Sequence, residues 1–110
     1  MTDVVCHVAI ADDWEMSRGF GEYEVATRGV PLEPGGYVRA TLPERVGAVV
    51  TERFGDLSIP LLRIDLSVAG LEATGVPVDW VDGDPRIQGA IPMDPEVVLA
   101  EEPIPMGRRT

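Results

Sequence analysis

The run from Ile59 to Leu66 (IPLLRIDL) is the clearest strand in this sequence, and it is apolar enough to lie at the centre of a sheet. A second β-rich run, Asp3 to Ile10 (DVVCHVAI), alternates its side chains between two faces. One face is fully apolar, and we expect it to pack on the core; it carries Val4, Cys6, Val8 and Ile10. His7 lies on the other face, with Val5 and Ala9, and should point away from the fully apolar side.

A short first helix is predicted in the segment ADDWEMSRGFG. Asp12 and Glu15 fit a capping box, in which two side chains satisfy backbone N–H groups of the first helical turn. Gly19 or Gly21 would end this helix, because glycine adopts the left-handed conformation that terminates helices. Trp14 is expected to pack its ring onto the sheet.

A second helix is predicted to begin at Thr41 and to run to about Phe54. Thr41 and Glu44 form a second capping-box pattern, T-x-x-E, and Gly55 stops the helix. The apolar stripe that would face the core consists of Val46, Val49, Val50 and Phe54.

The remaining strands are short: Glu22 to Ala26, Tyr37 to Ala40, Pro77 to Trp80, Arg86 to Ile91 and Glu96 to Ala100. The segment from Thr27 to Gly36 (TRGVPLEPGG) is rich in Gly and Pro and reads as a loop, whose length favours a functional flap. We therefore predict an α+β fold with a mainly antiparallel sheet and two short helices. One domain is expected over residues 1–110, with a core from about 3 to 103 and a flexible tail at 104–110.

The formal net charge of −10 excludes several classes of partner. A surface this acidic repels nucleic acid and anionic membranes, and no apolar run approaches the roughly 20 residues that a membrane helix needs. We expect a cytoplasmic protein. The single cysteine, Cys6, and the single histidine, His7, allow neither an intrachain disulfide nor a Cys-based zinc site nor a His-pair metal site, and no metal is predicted. The glycine-rich nucleotide motifs are absent, and no cofactor is predicted from them.

Three polar side chains stand inside apolar, strand-like stretches: His7, Arg39 and Arg86. In the stretch GGYVRAT, alternation puts Tyr37 and Arg39 on one side of the strand. If His7 and the two arginines converge on one cleft, they suit an anionic ligand, since arginine forms bidentate bonds with carboxylate and phosphate. The alternative is that all three are unrelated surface or ion-paired residues, because the chain offers 19 acids as partners.

The order of these motifs resembles the DUF952 family. The likeness rests on a histidine in the first strand, a tryptophan in the first helix, a G-x-Y, a glycine-led strand before a helix, and P-x-x-x-G followed by proline. In this sequence they are His7, Trp14, Gly21 with Tyr23, Gly36 to Thr41, and Pro85 to Gly89 with Pro92. The resemblance implies a compact ADP-ribosyltransferase-like fold over roughly Val5 to Pro103.

This chain departs from the family pattern at two histidines. Where the family reads G-F-I-H-C-S and P-H-I-Y-G-P, this sequence reads GYVRAT and PRIQGAI, so Arg39 and Arg86 replace histidines while His7 is retained. Arginine cannot shuttle protons near neutral pH, but it clamps anions more strongly. The resemblance therefore implies a divergent member of the family, whose cleft is altered at these two positions.

The resemblance implies a cleft that binds a small anionic ligand, such as a nucleotide or an ADP-ribose-type molecule. His7 would be its proton shuttle, and the ligand-binding residues would be Tyr37, Arg39, Thr41, Arg86 and Trp14. Two alternatives stay open. One is a small enzyme of specialised metabolism (a cyclase, lyase or isomerase) acting on a carboxylate-bearing substrate. The other is a non-catalytic protein-interaction module.

Overall fold

The chain folds into short strands and helices that make an α+β structure, as predicted. The computed structural model describes residues 3–27, 30–32, 36–56 and 58–105. In chain order the elements are β1 Val4–Ile10, α1 Ala11–Ser17, β2 Glu22–Tyr23, β3 Val25–Thr27, β4 Val30–Pro31, β5 Val38–Arg39, α2 Val46–Phe54, β6 Leu61–Ser67, α3 Val68–Ala73, β7 Val78–Val81, β8 Asp84–Ile87, β9 Ile91–Pro92 and β10 Val98–Ile104. Single turns of 3₁₀ helix, Arg18–Phe20 and Pro43–Arg45, follow α1 and precede α2.

The sheet through the middle of the molecule has the strand order β1-β6-β10, and both pairings are antiparallel. The predicted central position of the Ile59 to Leu66 run is confirmed, since β6 lies between the other two strands. A second three-stranded sheet has the order β5-β8-β7, and the short pairs β2-β9 and β3-β4 complete the pairing.

Both faces of β1 are buried, which corrects the expectation of a single core face. Cys6 and Val8 pack with α2 in a second hydrophobic core, while Val5 and Ala9 lie in the first core with Trp14. His7, on the same side as Val5, is 1% exposed. The sheet is covered on both sides, so the alternation that separates the two faces does not separate core from solvent.

The first helix starts without its predicted capping box. Its N-cap residue is Ile10, and no side chain caps it, because the chain passes from β1 into α1 without an intervening turn. Asp12 still lies in the first turn, where the helix dipole favours a negative charge. The predicted stop at Gly21 is confirmed: this glycine has φ +75° and ends the 3₁₀ turn that extends α1.

The second predicted capping box is also wrong. Thr41 forms an isolated antiparallel bridge with Cys6, and both of its backbone groups bond to that residue at 2.8 Å. The helical segment begins after Leu42, whose side chain makes no cap. The predicted end at Phe54 is confirmed, and so is the apolar stripe, which is buried at Val46, Val49, Val50 and Phe54.

A third helix, α3, lies where the sequence predicted none. The hydroxyl of Ser67 accepts a hydrogen bond from the Gly70 N–H at 3.0 Å and so caps the helix start. The predicted flap includes the strand β4, while residues 28–29 and 33–35 lie outside the described part. The predicted tail begins inside β10, at its last residue. Residues 106–110 also lie outside the described part of the chain. Within the described ranges, no helix has the length and hydropathy to cross a bilayer.

Candidate functional site

Two arginines stand directly opposite each other on the outer face of the β5-β8-β7 sheet. Arg39 on β5 pairs in register with Arg86 on β8. Their neighbours Val38 and Ile87 also pair, and both are fully buried in the first core. Because successive strand residues point to opposite faces, the two guanidinium groups are directed away from that core. Like charges placed directly opposite on a sheet are destabilising, so this pair calls for a compensating partner.

The aromatic ring of Tyr37 is one such partner. The Cζ atom of Arg86 lies 4.5 Å from the ring centroid, and that of Arg39 lies 5.8 Å from it. Both distances fall within the range of cation–π attraction, which contributes about 0.5 to 1 kcal/mol at exposed sites. The ring therefore holds the two arginines in one place without neutralising their charge.

A third arginine joins the pair from α2. Arg53 lines the same surface depression, which we call the arginine depression and which has a cavity volume of about 30 Å³. Its lining residues are Tyr37, Arg39, Ala40, Arg53, Asp84, Pro85 and Arg86. Arg53 was not predicted, because no signal within TERFGD distinguishes it from any other charge on an exposed helix face.

The distribution of ion pairs sets these three arginines apart. The structure describes six arginines, and three of them pair with carboxylates: Arg18 with Glu15 and Glu101, Arg45 with Asp84, and Arg63 with Asp65. Arg39, Arg53 and Arg86 form no ion pair within the described residues. They are the same three that line the arginine depression, in a chain whose acids outnumber its basic residues 19 to 9.

A smaller groove lies next to the depression and shares Arg39, Ala40 and Arg53 with it. Thr41 and His7 line this groove. Thr41 is 3% exposed, and its backbone is committed to the bridge with β1. The groove therefore brings two of the predicted site residues beside Arg39, but it presents little of their surface to a ligand.

The ring of His7 is fixed by two hydrogen bonds. Nδ1 lies 2.6 Å from the backbone carbonyl oxygen of Arg39, and Nε2 lies 2.9 Å from the hydroxyl of Tyr23. A carbonyl oxygen can only accept, so Nδ1 carries the hydrogen, and in the neutral ring Nε2 accepts from the tyrosine. Burial lowers the pKa of His7 to about 4, although its bond to the Arg39 carbonyl acts in the opposite direction. The imidazole is therefore neutral at pH 7, and its predicted role as proton shuttle stays a prediction.

Trp14 does not line the arginine depression. It is fully buried in the first core, with its ring centroid 4.9 Å from that of Tyr23. The expectation that its ring packs onto the sheet fits this position better than the expectation that it binds the ligand. Trp80, by contrast, is 45% exposed on β7. The structure thus gathers Tyr37, Arg39 and Arg86, places His7 and Thr41 in the neighbouring groove, and leaves Trp14 apart.

Comparison with known proteins identifies a shared fold. No family model matches the chain, and no curated protein matches it. The crystal structure of protein CC0527 from Caulobacter crescentus superposes with a TM-score of 0.72 at 13% identity, covering 93% of this chain and 86% of that one. A crystallised double-methionine variant of the same protein gives 0.71 at 10% identity over the same shares. At these identities the likeness shows the fold alone.

Proposed function

We propose that the arginine depression binds a small anionic ligand, and that this is the function of the domain. The observation that carries the proposal is the clustering of the three arginines that pair with no carboxylate in the described part of the chain, two of them directly opposed across β5 and β8. An anion between them would remove the repulsion that the sheet otherwise sustains, through charge-assisted bonds of the strong, forked kind.

A nucleotide or an ADP-ribose-type molecule is the ligand class that we propose first. The resemblance to the DUF952 family supports it, and that resemblance also supports an ADP-ribosyltransferase-like fold. The local chemistry supports it as well, since Arg39 and Arg86 offer forks to phosphate oxygens and Tyr37 offers a ring beside them. Binding is the whole of the proposal, because His7 is 1% exposed and both of its ring nitrogens are engaged.

Thermal shift with a panel of anions tests the proposal. The panel consists of inorganic phosphate, ADP-ribose, NAD and small carboxylates. A ligand at 100 times its Kd adds about 2.7 kcal/mol of stability. For a chain of this size that raises the Tm by roughly 10 °C or more. We expect at least one phosphate-bearing member of the panel to raise the Tm. The proposal is contradicted if none of the members raises it.

Variants locate the binding. Arg39→Gln and Arg86→Gln should fold normally and lose the shift, because each removes one guanidinium of the opposed pair. Arg18→Gln is the matched control, since this exposed arginine is paired with Glu15 and Glu101 away from the depression. The proposal fails if both Arg39→Gln and Arg86→Gln unfold, or if the control Arg18→Gln loses the thermal shift to the same extent.

A further inference from the structure

Resting on the proposed anion site, we infer that Arg53 makes the arginine depression selective for a phosphate monoester over a carboxylate or a phosphodiester. The inference starts from the directions in which the three guanidinium groups enter. Arg39 and Arg86 come from neighbouring strands of one sheet, and Arg53 comes from α2, which packs on the other core. Donors that approach from a sheet and from a helix surround a tetrahedral group better than a planar one.

Charge and oxygen number favour the monoester. A carboxylate has one charge and two oxygens, so a single arginine can satisfy both oxygens with its fork. Two guanidinium groups would then remain without a counter-charge. A phosphate monoester carries nearly two negative charges and three acceptor oxygens, enough to engage three arginines. A phosphodiester has only one charge and two free oxygens, so it matches the site no better than the carboxylate.

The acid at the edge of the depression does not cancel this charge. Asp84 is the only carboxylate among the described lining residues. Its Oδ1 atom lies 3.5 Å from Nη1 of Arg45. Arg45 is outside the depression, on the 3₁₀ turn before α2. It therefore gives Asp84 a counter-charge of its own, and the three site arginines keep theirs for a ligand.

The dimensions of the depression fit a terminal group. Its cavity volume of about 30 Å³ is far below the roughly 300 to 1,000 Å³ of pockets that bury a drug-sized ligand. A phosphate at the end of a molecule can enter such a depression while the rest of the ligand stays outside. An internal diphosphate would have to bring substituents in on both sides, so within the proposed ligand class the inference favours a nucleotide with a terminal phosphate over an ADP-ribose-type molecule.

Calorimetric titration of the full chain with three matched ligands tests the inference. The ligands are phenyl phosphate, benzoate and diphenyl phosphate, at pH 8, where the monoester is fully dianionic. We expect phenyl phosphate to bind about tenfold more tightly than the other two, since only the monoester has the charge and the oxygens to engage the third arginine. Arg53→Gln should remove most of that preference and leave the affinity for benzoate within about twofold. Arg53→Lys keeps the charge without the fork and should restore only part of it.

Each outcome separates this inference from the proposal beneath it. If all three ligands bind the native protein equally, the monoester inference is overturned while the anion site stands. The same holds if Arg53→Gln weakens benzoate as much as phenyl phosphate. If none of the ligands, ADP-ribose, NAD or inorganic phosphate binds, both fail. Circular dichroism and the Tm of both Arg53 variants and of the control Arg18→Gln show whether a loss reflects unfolding.

Discussion

His7 links the two parts of the molecule that meet at the candidate site. Its side chain leaves β1 and donates to the backbone carbonyl of Arg39 on β5, while its other nitrogen accepts from Tyr23. These bonds hold the outer sheet against the central one at the residue that carries a site arginine. A histidine in this position acts on the site by positioning β5, whatever else it does.

The buried state of His7 makes stability depend on pH. Its pKa is about 4 in the folded protein and 6.5 in the unfolded chain, so the unfolded state binds more protons between these values. Stability should therefore fall as the pH drops through that window, by at most about 1.4 kcal/mol per pH unit and about 3 kcal/mol in total. Urea unfolding of native protein and His7→Gln between pH 7 and 4.5 measures the difference in slope.

Tyr23→Phe is the control for this measurement. It removes the hydroxyl that donates to His7 and should lower stability at every pH, yet it keeps the titrating imidazole. We expect its slope to follow that of the native protein, while His7→Gln has a shallower one. Parallel slopes for native protein and His7→Gln would show that the buried imidazole does not drive the pH dependence.

At the scale of elements, α3 depends on a close backbone approach. A Cβ placed on Gly70 would clash with the carbonyl oxygen of Glu96, which is backbone and cannot turn aside. The helix can therefore pack against the turn before β10 only with glycine at this position. Alanine there would force one of the two segments to move.

A pair of matched substitutions tests this packing. Gly70→Ala should destabilise by about 1 to 3 kcal/mol, as overpacked sites do. Gly47→Ala on α2 has nothing within 4 Å of its added Cβ and should stabilise by roughly 0.5 to 1 kcal/mol, because alanine is the better helix former. Urea midpoints of the two variants are the readout. A shift of both in the same direction would contradict the packing argument.

Element boundaries could be read from the sequence where local chemistry decided them. The end of α2 at Phe54 followed from its apolar stripe, and the stop at Gly21 followed from glycine's access to positive φ. The second capping box was wrong because tertiary hydrogen bonds took precedence: both backbone groups of Thr41 bond to Cys6. Helix α3 was missed because it continues directly from β6, and Gly70 weakens its helical signal.

At the scale of the whole molecule, the candidate site was only partly predictable. Strand alternation placed Tyr37 and Arg39 on one side, and Arg86 stood out as a charged side chain inside an apolar, strand-like stretch. The direct opposition of Arg39 and Arg86 required the strand register, and Arg53 required the docking of α2 on β1. Neither is a local property of the sequence. The burial of His7 was missed for the same reason, since it depends on what covers both faces of β1.

The buried thiol of Cys6 reports on opening of the whole structure. Burial and the hydrogen bond that it donates to Asp65 raise its pKa to about 12, so it stays protonated and enclosed at pH 8. Under native conditions the thiol should react with a thiol reagent more slowly than it does in urea. The ratio of the two rates should equal the unfolded fraction, about 10⁻³ to 10⁻⁶. Leu61→Ala, in the same core, should speed the reaction in step with a loss of about 2 to 5 kcal/mol. A fast reaction that urea does not change would contradict the enclosure.

The first strand has a consequence for how the protein can be handled. β1 lends alternate side chains to both hydrophobic cores, pairs with β6, and reaches the arginine-bearing strand through the bridge from Cys6 to Thr41. Neither hydrophobic core is complete without this strand. A shortened chain that starts after Ile10 would keep all three site arginines but lose the strand that holds their sheet in position. An N-terminal deletion series should therefore end in a single abrupt loss of folding rather than a gradual decline.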